Sequence, residues 1–293
     1  GDIRLPLRAS PRGIGRLTDI LERHFQVLWH GVRLKTDDPT VFRLFGLIDQ
    51  RARHSTEALA ETHITALGSP EGGFRIFDRA DFLQGTATPE EVLDCVFTRV
   101  YRRAAELASL RGWLRVHGAV VGLEHHRVVV IGPASAGKTT LVLGLLAEGA
   151  AAEVDESFVA RRNEVVGVAR RFHVQPGSVE ILERCPWLRD APALGPDPVR
   201  FVDPTEHGFE WEIPIGPVEH VVVLRRTDGP SRLEPAPTSA VVQEVISQAF
   251  PVLEPRRAIV RQASALATSA GCHLLHAGPD LKAPAMLMSL VRR

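Results

Sequence analysis

Apolar and polar positions change period several times along the chain, and each change predicts an element. From Phe25 to Phe45 short apolar stretches alternate with charged ones, so Val27-Leu28-Trp29 and Val32-Arg33-Leu34 read as strands before the turn signal Asp37-Asp38-Pro39. Gly72-Gly73 followed by Phe74-Arg75-Ile76-Phe77 predicts a hairpin. Thr88-Pro89-Glu90-Glu91 opens a helix: a threonine caps orphan N–H groups, the fixed φ of proline suits the first helical position, and two acids face the positive end. That helix extends to about Leu110 and stops at Gly112, with Val92, Val96, Val100 and Ala104 on a face that packs.

Beyond it the pattern becomes strand, loop and helix. Trp113 to Leu123 reads as a strand ending near Glu124-His125-His126, and Val128-Val129-Val130-Ile131 is a β-branched run suited to a strand buried on both faces. A helix over Thr140 to Glu148 closes at Gly149, and strands follow near Ala152 to Val154, Phe158 to Arg161 and Val221 to Leu224. Prolines crowd the stretch from Pro186 to Pro217 and predict irregular loop there. Ser239 to Phe250 and Arg256 to Ala270 look helical, before a short strand over Cys272 to Leu275 and a terminal helix from Ala285.

Composition narrows the class. A chain of 293 residues exceeds the size at which one core usually stops growing, so the expectation is an N-terminal, packing or substrate-presenting domain over 1–110 and a second domain over 111–293. An apolar content of 44% with 24% charge suits a folded protein and excludes global disorder. The 35 basic and 35 acidic residues cancel, so no overall field favours nucleic acid or a membrane surface as partner. Cys95, Cys185 and Cys272 are odd in number and unpaired in spacing, which argues against a disulfide framework or a cysteine zinc site. With no apolar run long enough to span a bilayer and no secretory segment at Gly1-Asp2-Ile3-Arg4, a cytoplasmic location is expected.

The candidate chemistry starts at Gly132-Pro133-Ala134-Ser135-Ala136-Gly137-Lys138-Thr139, a full match to G-x-x-x-x-G-K-[ST] between a buried strand and an apolar helix. Such a loop turns its N–H groups inward around phosphate while the helix adds its positive end. Lys138 is expected to reach the β- and γ-phosphates, Thr139 to hold Mg²⁺, and Thr140 to lie at the edge of the same cradle. Lysine occurs elsewhere only at Lys35 and Lys282, which makes Lys138 hard to dismiss as chance. ATP with Mg²⁺ is therefore the expected ligand. Val154-Asp155-Glu156-Ser157 then offers two carboxylates at the end of a predicted strand, where α/β sheets bind ligands. One carboxylate suits a base for an acceptor hydroxyl and the other suits the metal.

His117-Gly118-Ala119-Val120-Val121, Val129 to Thr140, Leu145 to Gly149 and Val154-Asp155-Glu156 together resemble the catalytic core of the HPr serine kinase/phosphorylase superfamily, including the HPr-kinase-like kinases of bacterial biosynthetic clusters such as those for lasso peptides. The resemblance covers roughly Trp113 to Val159; the N-terminal part resembles nothing we can name. It implies an α/β fold: a P-loop kinase core, a mixed sheet with flanking helices, beside a smaller N-terminal α/β domain. It further implies that Lys138 and Thr139 bind phosphate and metal, that Asp155 is the base, and that Glu156 replaces a second aspartate at the metal. His117 would orient the acid pair or tune its charge, unless it is a histidine satisfied within a strand. A further metal-ligating glutamate is expected downstream at Glu180 or Glu183. The phosphorylase signature of the family is not recognisable, which speaks against reversal by inorganic phosphate and against HPr as substrate.

Two functions from different classes remain. One is a kinase acting on a hydroxyl of a peptide, protein or small molecule; the other is a nucleotide-dependent regulatory or assembly module with no acceptor. The sequence leaves a homo-oligomer open. His125-His126 with Glu124 and Glu153 reads as a solvated loop rather than a metal site. Arg161-Arg162 and Arg170-Arg171 suit either an acidic ligand or a solvated face, and Asp203-Pro204-Thr205-Glu206-His207 reads as a loop.

Overall fold

The computed structural model describes residues 20–178, 185–194 and 199–292. The stretch that includes Glu180 and Glu183 lies outside the described residues.

The first part of the chain runs β1 (Leu21–Val27), β2 (His30–Thr36), α1 (Pro39–Phe45), β3 (Arg53–His54), β4 (Ala60–Gly68), β5 (Phe74–Asp78), β6 (Asp81–Thr86) and α2 (Pro89–Leu110). Its five-stranded sheet has the order β1-β2-β4-β5-β6, antiparallel except between β2 and β4. Alternation decides which face is covered: Val32 and Leu34 of β2 and Ile64 and Ala66 of β4 are buried, and α1 and α2 pack on the sheet. Helix α2 starts as its sequence predicts. The Thr88 side chain accepts from the Glu91 N–H, the Glu91 carboxylate accepts in return from the Thr88 N–H, and Pro89 takes the first position. Val92, Val96, Val100 and Ala104 are all buried.

The rest of the chain runs β7 (Leu114–Leu123), β8 (His126–Ile131), α3 (Lys138–Ala147), β9 (Ala151–Val154), β10 (Ser157–Arg161), β11 (Glu164–Gly167), β12 (Phe172–Val174), β13 (Ala193–Leu194), β14 (Val199–Val202), β15 (Glu212–Ile213), β16 (Ile215–Pro217), β17 (His220–Arg226), β18 (Arg232–Pro235), α4 (Thr238–Ser247), α5 (Arg256–Thr268), β19 (Gly271–Ala277) and α6 (Ala283–Val291). A large mixed sheet has the order β16-β11-β10-β7-β8-β17-β19-β18, with β9 also paired to β7. Strands β8, β17 and β19 are parallel neighbours, and Val128 to Ile131 and Val221 to Leu224 are buried on both faces as continuous β-branched runs require. The fold is thus mixed α/β.

The two sheets share one continuous apolar core. The Tyr101 hydroxyl of α2 donates to the Ala169 carbonyl at 3.2 Å, and the buried Arg171 guanidinium donates to the Asp49 carbonyl and to both oxygens of Glu206.

Three expectations change. The proline-dense stretch carries short strands: β13 and β14 form there and pair with β12 in a small sheet, and Phe172 of β12 meets the buried Trp211 ring edge to face at 5.7 Å. The predicted helix over Ser239 to Phe250 ends at Ser247, because Gln248 to Phe250 leave it to pair with β7: the His117 N–H donates to the Gln248 carbonyl and the Phe250 N–H to the Arg115 carbonyl. Pro251 favours this, since the residue before a proline avoids helical backbone. Glu153 is no part of a solvated loop; it is buried and held by the Arg127 guanidinium at 2.7 and 2.8 Å.

Candidate active site

Strand β8 delivers the chain to the carboxyl edge of the large sheet, and the loop Gly132 to Gly137 turns there into α3. Gly132 is required by space: a Cβ there would lie 2.6 Å from the Leu224 carbonyl oxygen of the neighbouring β17. Gly137 is required by backbone, since it caps α3 with φ near 94° in the left-handed region that side chains disfavour. No side chain caps α3, so its positive end faces the concave side of the loop formed by Pro133, Ala134, Ser135 and Ala136.

Lys138 is only 6% exposed, and its ammonium donates to the carbonyls of Gly132 and Pro133 at 2.9 Å each. Burial lowers its pKa, while Glu156, Asp155 and Glu244 act in the opposite direction. Its charge therefore stands in the field of three carboxylates.

Strand β9 ends at Val154, and the turn into β10 presents the acid pair to the loop. The register of β7 with β10 places His117 opposite Ser157, and the Gly118 N–H donates to the Glu156 carbonyl at 2.8 Å. Asp155 is 1% exposed and accepts from the Thr139 hydroxyl at 2.9 Å through Oδ2. Its Oδ1 is buried with no hydrogen-bond partner among the described residues. Burial pushes the Asp155 carboxyl up to about 6; Arg170 opposes this, Glu156 adds to it, and the Thr139 hydrogen bond opposes it. An acid held at that value is poised to take or give a proton near neutral pH.

Glu156 is more open and forms an ion pair with Arg170, so of the predicted basic doublets this one residue reaches the acid pair. Arg171 serves the contact with Asp49 and Glu206, and Arg161 stacks over Trp113 at 4.7 Å. His117 is half-buried; burial first, and Lys138 next, lower its pKa, which favours the neutral ring. The ring sits edge-on to Phe250 at 6.1 Å, and the Arg115 guanidinium lies 5.9 Å over the same phenyl ring. Thr140 turns away from the acids and meets the Ser178 hydroxyl at 3.3 Å.

The loop with Lys138 and Thr139, the pair Asp155 and Glu156, and His117 thus converge, although they come from three segments. Arg115, Glu244 and Phe250 escaped the sequence reading because each enters the cluster through a contact with a distant segment. Position at the carboxyl end of a predicted strand could have flagged the residues after Leu224.

A cation fits this corner. The hydroxyl of Thr139, bonded to Asp155, and the carboxylate of Glu156, the next residue, are hard oxygen donors of the type that Mg²⁺ takes. No group of three or more histidine, cysteine, aspartate or glutamate side chains gathers into a metal site among the described residues, so such an ion would share its shell with phosphate oxygens and water. No described helix is long and apolar enough to cross a membrane.

No protein-family model matches the sequence, and no curated protein matches it. Among solved structures the chain is similar to the HPr(Ser) kinase/phosphatase from Coxiella burnetii at 13% identity, with a TM-score of 0.34, covering 61% of this chain and 88% of that one. At that distance the likeness says nothing about reaction or substrate.

Proposed function

We propose that this chain is an ATP- and Mg²⁺-dependent kinase that transfers the γ-phosphoryl group to a hydroxyl, of a serine or threonine in a peptide or protein or of a small molecule. The observation that carries this reading is the buried Asp155 carboxylate, bonded to Thr139 at the head of the glycine loop and free at its second oxygen.

The loop N–H groups and the positive end of α3 bind the phosphates, and Lys138 leaves its two backbone carbonyls to meet their β- and γ-oxygens. Oδ1 of Asp155 accepts the proton of the acceptor hydroxyl as that oxygen bonds to the γ-phosphorus. The bond from phosphorus to the β–γ bridging oxygen breaks, and ADP leaves with that electron pair. Arg170 holds Glu156 in an ion pair, and His117 stands near Lys138 and Glu156 with burial favouring its neutral ring. Thr139 and Glu156 would hold Mg²⁺, which would supply neutralisation of the charge that builds on the phosphate oxygens.

The test incubates the chain with Mg²⁺, γ-labelled ATP and the peptides and metabolites produced by its genomic neighbours, and follows label by mass spectrometry. Label on one hydroxyl supports the kinase and names its substrate. ATP bound or hydrolysed with no labelled acceptor would replace the kinase by the regulatory module.

A further inference from the structure

Strand β8 stops at Ile131, opposite Gly118 of β7, where the chain turns away into the glycine loop. The earlier residues of β7 find a different neighbour on that side. The His117 N–H donates to the Gln248 carbonyl, the Phe250 N–H donates to the Arg115 carbonyl, and Val116 bridges Ala249. Gln248 to Phe250 therefore extend the line of β8 past its carboxyl end, at the sheet edge that carries the loop and the acid pair, and Pro251-Val252-Leu253 follow directly.

This segment shows water an apolar surface. Phe250 is 54% exposed, Val252 39% and Leu253 62%, three large apolar side chains within four residues. The Phe250 ring meets both the His117 ring and the Arg115 guanidinium, so the apolar lip begins beside the candidate reacting groups. The cations around it lack anions. Among the described residues no hydrogen bond or ion pair engages the Arg115 guanidinium, and its Nε is buried without a partner, a costly state for a charged donor. Arg256 and Arg257 follow the lip in the first turn of α5, where the positive helix end repels them; that turn holds no acid, and neither arginine has an ion pair among the described residues.

We propose that this lip is the docking surface of the acceptor, and that the acceptor is an acidic polypeptide segment whose reacting serine or threonine is flanked by an apolar side chain and by carboxylates. The apolar side chain packs on Phe250, Val252 and Leu253. The carboxylate nearest the hydroxyl takes the free donors of Arg115 in a charge-assisted bond, and further acids meet Arg256 and Arg257. Apolar and basic groups spread over consecutive residues suit a chain with several side chains better than one small molecule. The inference rests on the reading of the site as a kinase. It narrows the acceptor to one class and makes Arg115 and Phe250 specificity-determining residues.

The experiment gives the full chain Mg²⁺ and γ-labelled ATP with a library of short synthetic peptides, each with a central serine or threonine and randomised flanks, and in parallel with sugars, polyols and free serine. Wild type is expected to label peptides with Asp or Glu at a fixed distance from the hydroxyl and an apolar residue near it. It should prefer them to their Asn or Gln counterparts by at least about tenfold in kcat/KM. Arg115→Met is expected to remove that preference, Arg115→Lys to keep part of it, and Arg115→Glu to move it to Lys or Arg, a gain that no misfolded variant shows. Leu253→Ser is expected to raise KM for the apolar-flanked peptide more than it lowers kcat. Labelling without a preference for acids, or a preference that Arg115→Met retains, overturns the docking surface and leaves the kinase standing. Label on a small hydroxyl compound and on no peptide does the same. If neither set is labelled, the kinase reading falls and the docking surface with it.

Discussion

Asp155 keeps a carboxyl group where water scarcely reaches, and its raised pKa has two consequences of opposite sign. For folding, the native value of about 6 lies above the roughly 3.9 of an unfolded aspartate, so the unfolded chain binds fewer protons between those values. Stability of the ligand-free protein should therefore fall as pH rises from about 4 to about 6 through this group. Asp155→Asn removes the charge and should make the chain more resistant to urea at pH 7 than wild type, with the gap closing toward pH 4; an unchanged gap would show that Asp155 ionises normally. In the proposed transfer Asp155 acts as base, which requires its deprotonated form. The kcat/KM profile should rise with pH through about 6, and Asp155→Asn should cut the rate of transfer by at least about a hundredfold with ATP affinity nearly kept. Of these residue-scale features the identity of Asp155 was legible from its place one helix and one strand after the loop. Its burial and its bond to Thr139 were not, because both depend on how β9 and α3 pack.

At the scale of elements, local chemistry explains where helices begin better than where they end. The capping box of α2 uses residues three apart, so Thr88-Pro89-Glu90-Glu91 announces it in sequence. Thr88→Ala should lower unfolding stability by about 1 kcal/mol, read from denaturant melts. The end of α4 depends on the edge of β7, more than a hundred residues earlier, where Arg115 and His117 draw Gln248 to Phe250 into pairing. The glycine loop shows both kinds of cause. Gly132→Ala would press a methyl group on the Leu224 carbonyl and should cost about 1–3 kcal/mol by overpacking. Gly137 has open space around its missing side chain, so Gly137→Ala should cost about 1–2 kcal/mol through its left-handed backbone alone. Calorimetry of the two variants separates a demand of packing from a demand of conformation.

Across the whole molecule, two sheets meet over one core, and the contact around Arg171 ties residues near 50 to those near 205. Arg171 is buried and Glu206 exposed, and the guanidinium beside Glu206 holds its carboxyl below the usual range. Arg171→Met should leave the Asp49 carbonyl without its donor and cost about 1–3 kcal/mol. Because the core is continuous, that loss should shift a single unfolding transition; two separated transitions by calorimetry would show that the sheets unfold independently.

What the sequence determined by itself is the set of features with local causes: the buried strand, the glycine loop with Lys138 and Thr139, the capped helix α2, and the acid pair at a strand end. These follow from backbone sterics, periodicity and hydrogen bonds between near neighbours, all written in adjacent residues. Tertiary structure alone decided which carboxylate is buried, that Arg170 rather than its neighbours holds Glu156, that Phe250 stands beside His117, and that a cavity opens between α3, β17 and β19. Each of these joins segments far apart in the chain, and desolvation, charge pairing and enclosed volume exist only once such segments are brought together.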